Sequence, residues 1–135
     1  WQIMATIFTK IIRGEVPCYK ILEDKDCFAF LDINPLAKGH VLVVPKKEVD
    51  YIFDLDDVTY SKLMLFSKKV ASALERSIEC ERIGVTVIGL EVPHAHVHLI
   101  PINSVTDMDF SKQKLNLPPE EMVRMAKIIT ENLEN

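Results

Sequence analysis

Apolar residues recur along this chain with two different periods. Within Thr6 to Arg13, Ile7, Ile11 and Ile12 fall at helical spacing, and Gly14 and Pro17 close the segment, which predicts a short helix. Cys18 to Leu22 and Phe28 to Ile33 are β-type runs separated by the polar Glu23-Asp24-Lys25-Asp26, the pattern of a hairpin. Asn34 to Gly39 carries turn residues and leads into His40-Val41-Leu42-Val43-Val44-Pro45, whose β-branched density predicts a buried strand. From about Asp56 to Ile78, the residues Val58, Leu63, Phe66, Val70, Ala73 and Leu74 repeat near the 3.6 period. Asp54, Asp56 and Asp57 suit the positive end of that helix. Ile83 to Ile88 and His94 to Ile102 read as two more strands, joined by Gly89-Leu90-Glu91-Val92-Pro93. Pro118-Pro119-Glu120-Glu121 opens a final helix.

About five strands and two to three helices, without regular alternation, predict an α+β fold: one antiparallel sheet with helices segregated to one face. No repeat, low-complexity tract or linker interrupts the chain, so a single domain over residues 1–135 is expected, long enough for a hydrophobic core. Met4 is a candidate natural start, which would make Trp1-Gln2-Ile3 a cloning remnant.

Composition narrows the function classes. The chain is 48% hydrophobic and 27% charged, a globular balance. Its net charge is −4 and no block of like charge stands out, which argues against a bulk electrostatic grip on nucleic acid but leaves room for a local phosphate site. Three cysteines without Cys-x-x-Cys spacing support neither a disulfide framework nor a four-thiolate zinc site. With no run of 18 apolar residues and no leader-like N-terminus, a cytoplasmic location without membrane attachment is expected.

The chemistry concentrates at His94-Ala95-His96-Val97-His98, where three of the four histidines fall within five residues. On a strand, side chains alternate between faces, so these three share one face while Ala95, Val97 and Leu99 share the other. The apolar set is expected to pack under the helices, leaving the histidines on an open face. Aligned imidazoles can divide labour on one small anion: one attacks phosphorus, another fixes the attacker's tautomer, a third donates near the leaving group. Two blander readings stand beside this one: histidines scattered on a strand surface, and a His-x-His metal pair.

His94-Ala95-His96-Val97-His98-Leu99-Ile100 resembles the signature of the histidine triad family. The segment from Ile7 to Pro17 is similar to the opening of its Hint branch. Phe30-Leu31-Asp32-Ile33-Asn34-Pro35 and Gly39-His40-Val41-Leu42-Val43-Val44-Pro45-Lys46-Lys47 match it in the same order. The resemblance implies a five-stranded antiparallel sheet that pairs into ten strands in a homodimer. It also implies binding of purine nucleotides or their conjugates, of AMP or GMP type, with hydrolysis or transfer at the α-phosphate through a nucleotidyl-histidine. By position, His96 corresponds to the nucleophile, His98 to the phosphate and leaving-group contact, and His94 and His40 to orienting partners. Asp32 falls where the family binds ribose hydroxyls, and Ile7, Phe8, Ile11, Phe30, Leu31, Ile33 and Leu42 would line the base and sugar pocket. Plain core packing is the alternative for the aliphatic ones.

Two departures from the family pattern bear on function. Many relatives hold a structural zinc with Cys-x-x-Cys and a His after Pro-Lys-Lys; here Thr6, Thr9 and Glu48 stand there, so no metal and no cofactor is expected. The loop before the triad is shortened, with Leu90 where Gln is common and Glu91 where Ser is frequent. A nucleoside phosphoramidase is the leading expectation. A dinucleoside polyphosphate hydrolase of the Fhit type and a non-catalytic nucleotide-binding module are the alternatives.

Overall fold

Alternation of side chains across the strands sorts this protein into two layers around one sheet. The computed structural model describes residues 5–134, so Met4 and the residues before it lie outside the described residues. In chain order the elements are α1 (Ile7–Ile12), β1 (Lys20–Glu23), β2 (Cys27–Leu31), β3 (Val41–Pro45), α2 (Asp57–Ser77), β4 (Arg82–Thr86), β5 (Val97–Ile102) and α3 (Pro119–Glu131). Short 3-10 turns span Ile52–Asp54 and Val105–Met108. The strands form one antiparallel sheet in the order β1-β2-β3-β5-β4, the α+β architecture that the sequence predicts.

One face carries Ala29, Leu31, Val41, Val43, Val97 and Leu99, which pack with Leu63, Phe66, Val70 and Leu74 of α2 and Met122, Met125 and Ile129 of α3. Burying these aliphatic and aromatic side chains supplies the main drive for closing the helices onto the sheet. The opposite face carries Phe28, Phe30, Leu42 and Val44, which pack with Phe8 of α1. β2 and β3 are buried throughout because both of their faces are covered. Two helices therefore lie on one face, and the short α1 lies on the other. No helix among the described residues is long and apolar enough to cross a membrane.

Local chemistry sets the element ends. Asp56 caps α2 by accepting from the Thr59 amide at 2.8 Å, and Pro118 and Pro119 begin α3. The expected strand His94–Ile102 starts only at Val97. The His94 amide closes a turn onto the Val92 carbonyl at 2.8 Å, and the Ala95 amide donates to the Val49 carbonyl at 2.7 Å, so neither joins the ladder. The expected strand Ile83–Ile88 shifts to Arg82–Thr86, since its pairing to β5 ends where Thr86 meets His98. The first hairpin strand begins at Lys20 rather than Cys18 and has a register irregularity between Lys20 and Leu22.

Candidate active site

Leu42 on β3 faces His98 on β5 across the ladder, which puts His98 on the α1 face. The expected partition is found: Ala95, Val97 and Leu99 join the helix-side core, and the histidines lie on the other side. That side is not open, however. His94 is fully buried, and His96 and His98 are each only 7% exposed. Phe8 of α1 closes over His94 and His96, with ring centroids 5.8 and 4.9 Å away, and Phe110 sets its ring 4.8 Å from that of His98. The expectation of an exposed strand surface failed because α1 and a segment after β5 fold over it.

Backbone groups with fixed roles decide where the ring protons sit. The Leu36 amide donates to His40 Nδ1 at 3.0 Å, so in the neutral ring the proton is on Nε2. His40 Nε2–H then donates to His98 Nδ1 at 2.9 Å, which leaves the proton of His98 on Nε2. His96 is set the opposite way: its Nδ1–H donates to the His94 carbonyl at 2.8 Å, so its lone pair is on Nε2. His94 Nε2–H donates to the Pro45 carbonyl at 2.8 Å, and its Nδ1 accepts from the Thr6 hydroxyl at 3.0 Å.

Burial disfavours the charged forms of His40, His98 and His94. His40 is pushed down to about 3, first by desolvation and then by His98, Lys114 and His96. His98 is pushed down to about 4 by desolvation and then by His96. His94 is also lowered, chiefly by burial. Burial raises the carboxyl of Asp32 above its ordinary value, which the Asn34 amide, donating to Oδ1 at 2.9 Å, partly offsets. Its Oδ2 lies 3.6 Å from His40 Nε2.

Two adjoining cavities meet at Asp32. An apolar one of about 230 Å³ is lined by Ile7, Phe8, Ile11, Phe30, Leu31, Ile33 and Leu42, every residue expected for a base and sugar pocket, together with Val16, Pro17 and Cys18. A second of about 290 Å³ is lined by His96, His98, Asn34, Ile88, Phe110, Lys114 and the loop residues Gly89, Leu90 and Glu91. His94 and His40 line neither; they stand behind His96 and His98. Asn34, Phe110 and Lys114 were not among the expected site residues. Asn34 lies inside a quoted motif, whereas Phe110 and Lys114 belong to an aperiodic tract that offered no signal.

The donor chemistry argues against a resident metal at two places. Asp32, His40 and His98 present atoms within 4.8 Å of one another. Yet His40 Nε2 carries the proton that Leu36 fixes there, and a ligating nitrogen needs its lone pair free. Where relatives place zinc ligands, Thr6, Thr9 and Glu48 form hydrogen bonds instead. The Thr9 hydroxyl and the Thr6 amide both donate to Glu48 Oε1, at 2.6 and 2.9 Å, and the Thr9 amide donates to the Thr6 hydroxyl oxygen at 3.2 Å. These bonds hold the Glu48 carboxyl below its ordinary value. Two neutral hydroxyls and one engaged carboxylate do not fit a zinc ion.

Comparison with known proteins identifies the family. The HIT domain profile matches residues 13–105, and the chain belongs to the HIT family. It is 36% identical to an uncharacterized HIT-like protein of Borreliella burgdorferi, over 94% of this chain and 97% of that protein. It is 30% identical to adenosine 5'-monophosphoramidase hnt1 of Schizosaccharomyces pombe, over 97% of this chain and all of that one. The crystal structure of a Hit-like protein from Bartonella henselae superimposes with a TM-score of 0.82 at 32% identity, covering 95% of this chain and 96% of that chain.

The proton arrangement is testable by ring nitrogen NMR. At pH 7 both His40 and His98 are expected to show a protonated Nε2 and a bare Nδ1, and neither ring is expected to titrate above about pH 5. The unfolded chain takes up protons near 6.5 that the native pair refuses. The pair's contribution to stability is therefore complete above pH 6.5 and drains away as pH falls toward their native values. A His40 ring protonated on Nδ1, or either ring titrating at its ordinary value, would contradict the arrangement.

Proposed function

We propose that this protein hydrolyses nucleoside monophosphate conjugates of AMP or GMP type at the α-phosphate, through a nucleotidyl-histidine on His96. The observation that carries the reading is the hydrogen bond from His96 Nδ1 to the His94 carbonyl. It leaves a lone pair on Nε2 in a cavity that adjoins, at Asp32, an apolar pocket with room for a flat base. The activity named for the fission-yeast relative supports the same chemistry.

The base occupies the apolar cavity, and the Asp32 carboxylate accepts from ribose hydroxyls where the two cavities meet. His96 Nε2 attacks phosphorus, forming an N–P bond as the bond to the leaving group breaks. A leaving amine takes a proton from water as the P–N bond breaks, its nitrogen held by a hydrogen bond from His98 Nε2–H, and His40 donates to His98 Nδ1 throughout. The hydroxide left by that water then attacks the phosphoryl-imidazole: its oxygen bonds to phosphorus and the electron pair of the broken N–P bond returns to His96 Nε2. His94 acts through its carbonyl and its anchored ring as a positioning residue.

The chain further reads as half of a homodimer. The two sheet edges differ: β1 carries the charged pair Lys20 and Glu23 and an irregular register, which discourages strand addition. β4 is a regular edge that leaves Val85 52% exposed, with Ile88 just beyond it 42% exposed. A second copy pairing along β4 covers these side chains and extends the sheet to ten strands.

Mixed with an adenosine phosphoramidate and denatured for mass spectrometry, the protein is expected to carry a transient AMP adduct. His96→Asn, whose amide keeps the bond to the His94 carbonyl, is expected to show neither adduct nor turnover. Normal turnover by that variant removes His96 as nucleophile, whereas wild-type binding without adduct or turnover reduces the protein to a nucleotide-binding module. Asp32→Ala is expected to weaken AMP binding by about 1.5 to 3 kcal/mol in calorimetry, the usual loss for hydrogen bonds to a charged acceptor; unchanged affinity would dismiss the ribose contact. Sedimentation is expected to give twice the chain mass for wild type and a monomer for Val85→Lys. A wild-type monomer would end the dimer reading.

A further inference from the structure

The matched domain ends at residue 105, yet the site does not. After β5 the chain turns back, and the Leu115 amide donates to the Pro35 carbonyl at 2.8 Å, tying this return segment to the loop that also presents Asp32 and Asn34. Phe110 is thereby set edge-on against His98 and His40, with ring centroids 4.8 and 6.2 Å away. Four residues later the Lys114 ammonium lies 5.6 Å from the centre of the Phe110 ring and donates to the Phe110 and Lys112 carbonyls. An ammonium has three N–H donors, and two are used there, leaving one for a ligand in the cavity that Lys114 lines.

The charges around that cavity make this cation consequential. Asp32 and Glu91 are acidic, Leu90 is turned out to solvent at 88% exposure, and among the described residues lining the cavity Lys114 is the one permanent cation. Its field reaches the site, for it opposes proton uptake at His40 and favours the ionised form of Asp32. Without it, an anion beyond the α-phosphate would face two carboxylates and no compensating charge.

We propose that Lys114 is a specificity determinant for the leaving group, selecting nucleotide conjugates that are mixed anhydrides, whose departing group is an oxyanion. The assignment rests on the function proposed above. When His96 Nε2 forms the N–P bond to such a substrate, the P–O bond breaks and the oxygen leaves with the electron pair. A sulfate-type oxyanion needs no proton from His98 but does need its charge offset, and Lys114 supplies that. An amine leaving group needs a proton, taken from water beside the His98 Nε2–H donor, and gains little from Lys114. The two residues thus serve two leaving-group chemistries in one cavity.

The test compares kcat/KM for adenosine 5'-phosphosulfate and for an adenosine phosphoramidate in the full-length protein. Lys114→Gln is expected to shift the ratio of the two values at least about tenfold against the phosphosulfate, as removal of a donor from a developing oxyanion does. Lys114→Arg is expected to restore the ratio, which excludes a general loss of folding as the cause. A ratio unmoved by Lys114→Gln overturns the assignment whatever happens to the absolute rates. Wild-type turnover of the phosphoramidate alone overturns it too, while leaving the parent reading intact; turnover of neither substrate overturns both.

Discussion

Main-chain groups that cannot exchange roles control the histidines of this protein. An amide nitrogen only donates and a carbonyl oxygen only accepts. The Leu36 amide therefore obliges His40 to present its proton from Nε2, and through His40 it obliges His98 to do the same. The His94 carbonyl obliges His96 to present a lone pair. Two neighbouring imidazoles whose rings lie 5.0 Å apart are thus set as opposites, one presenting a proton from Nε2 and one a lone pair, although their chemistry is identical in water. Burial reinforces the pattern by disfavouring the charged forms of His40 and His98, since only a neutral imidazole can donate from one nitrogen and accept at the other.

The sheet makes that control possible by separating two tasks onto two faces. The helix side is filled by aliphatic residues of β2, β3 and β5 against α2 and α3, and it holds the strands in register. The other side is free to carry polar groups because the stabilising burial is already provided opposite. It still could not tolerate three unpartnered imidazoles under Phe8 and Phe110. Each of their engaged nitrogens meets a carbonyl, a hydroxyl or another ring, and no buried side-chain polar atom among the described residues lacks a partner.

Much of this was legible in the sequence where a pattern repeats. The apolar period of α2, the β-type run of β2, the β-branched run of β3, and the alternation through Ala95, Val97 and Leu99 each point to the element and face found. Seven of the residues that line the apolar cavity are legible because the opening block and the motifs around Asp32 and His40 resemble a known family, whereas Val16, Pro17 and Cys18 are not. Three further things were not legible. The start of β5 at Val97 depends on where the amides of His94 and Ala95 find acceptors, which is a tertiary matter. The burial of the histidines depends on α1 crossing back over them. Phe110 and Lys114 reach the cavity along an irregular segment, where side-chain spacing carries no information about direction.

The cluster of Thr6, Thr9 and Glu48 at the foot of His94 has a consequence for how the fold responds to its surroundings. A corner fastened with thiolates and an ion would be hostage to chelators, peroxide and the local supply of zinc. Hydroxyls and a carboxylate have no metal to surrender and no sulfur to oxidise. The strut behind His94 and His96 is built from hydroxyls and a carboxylate of the polypeptide itself.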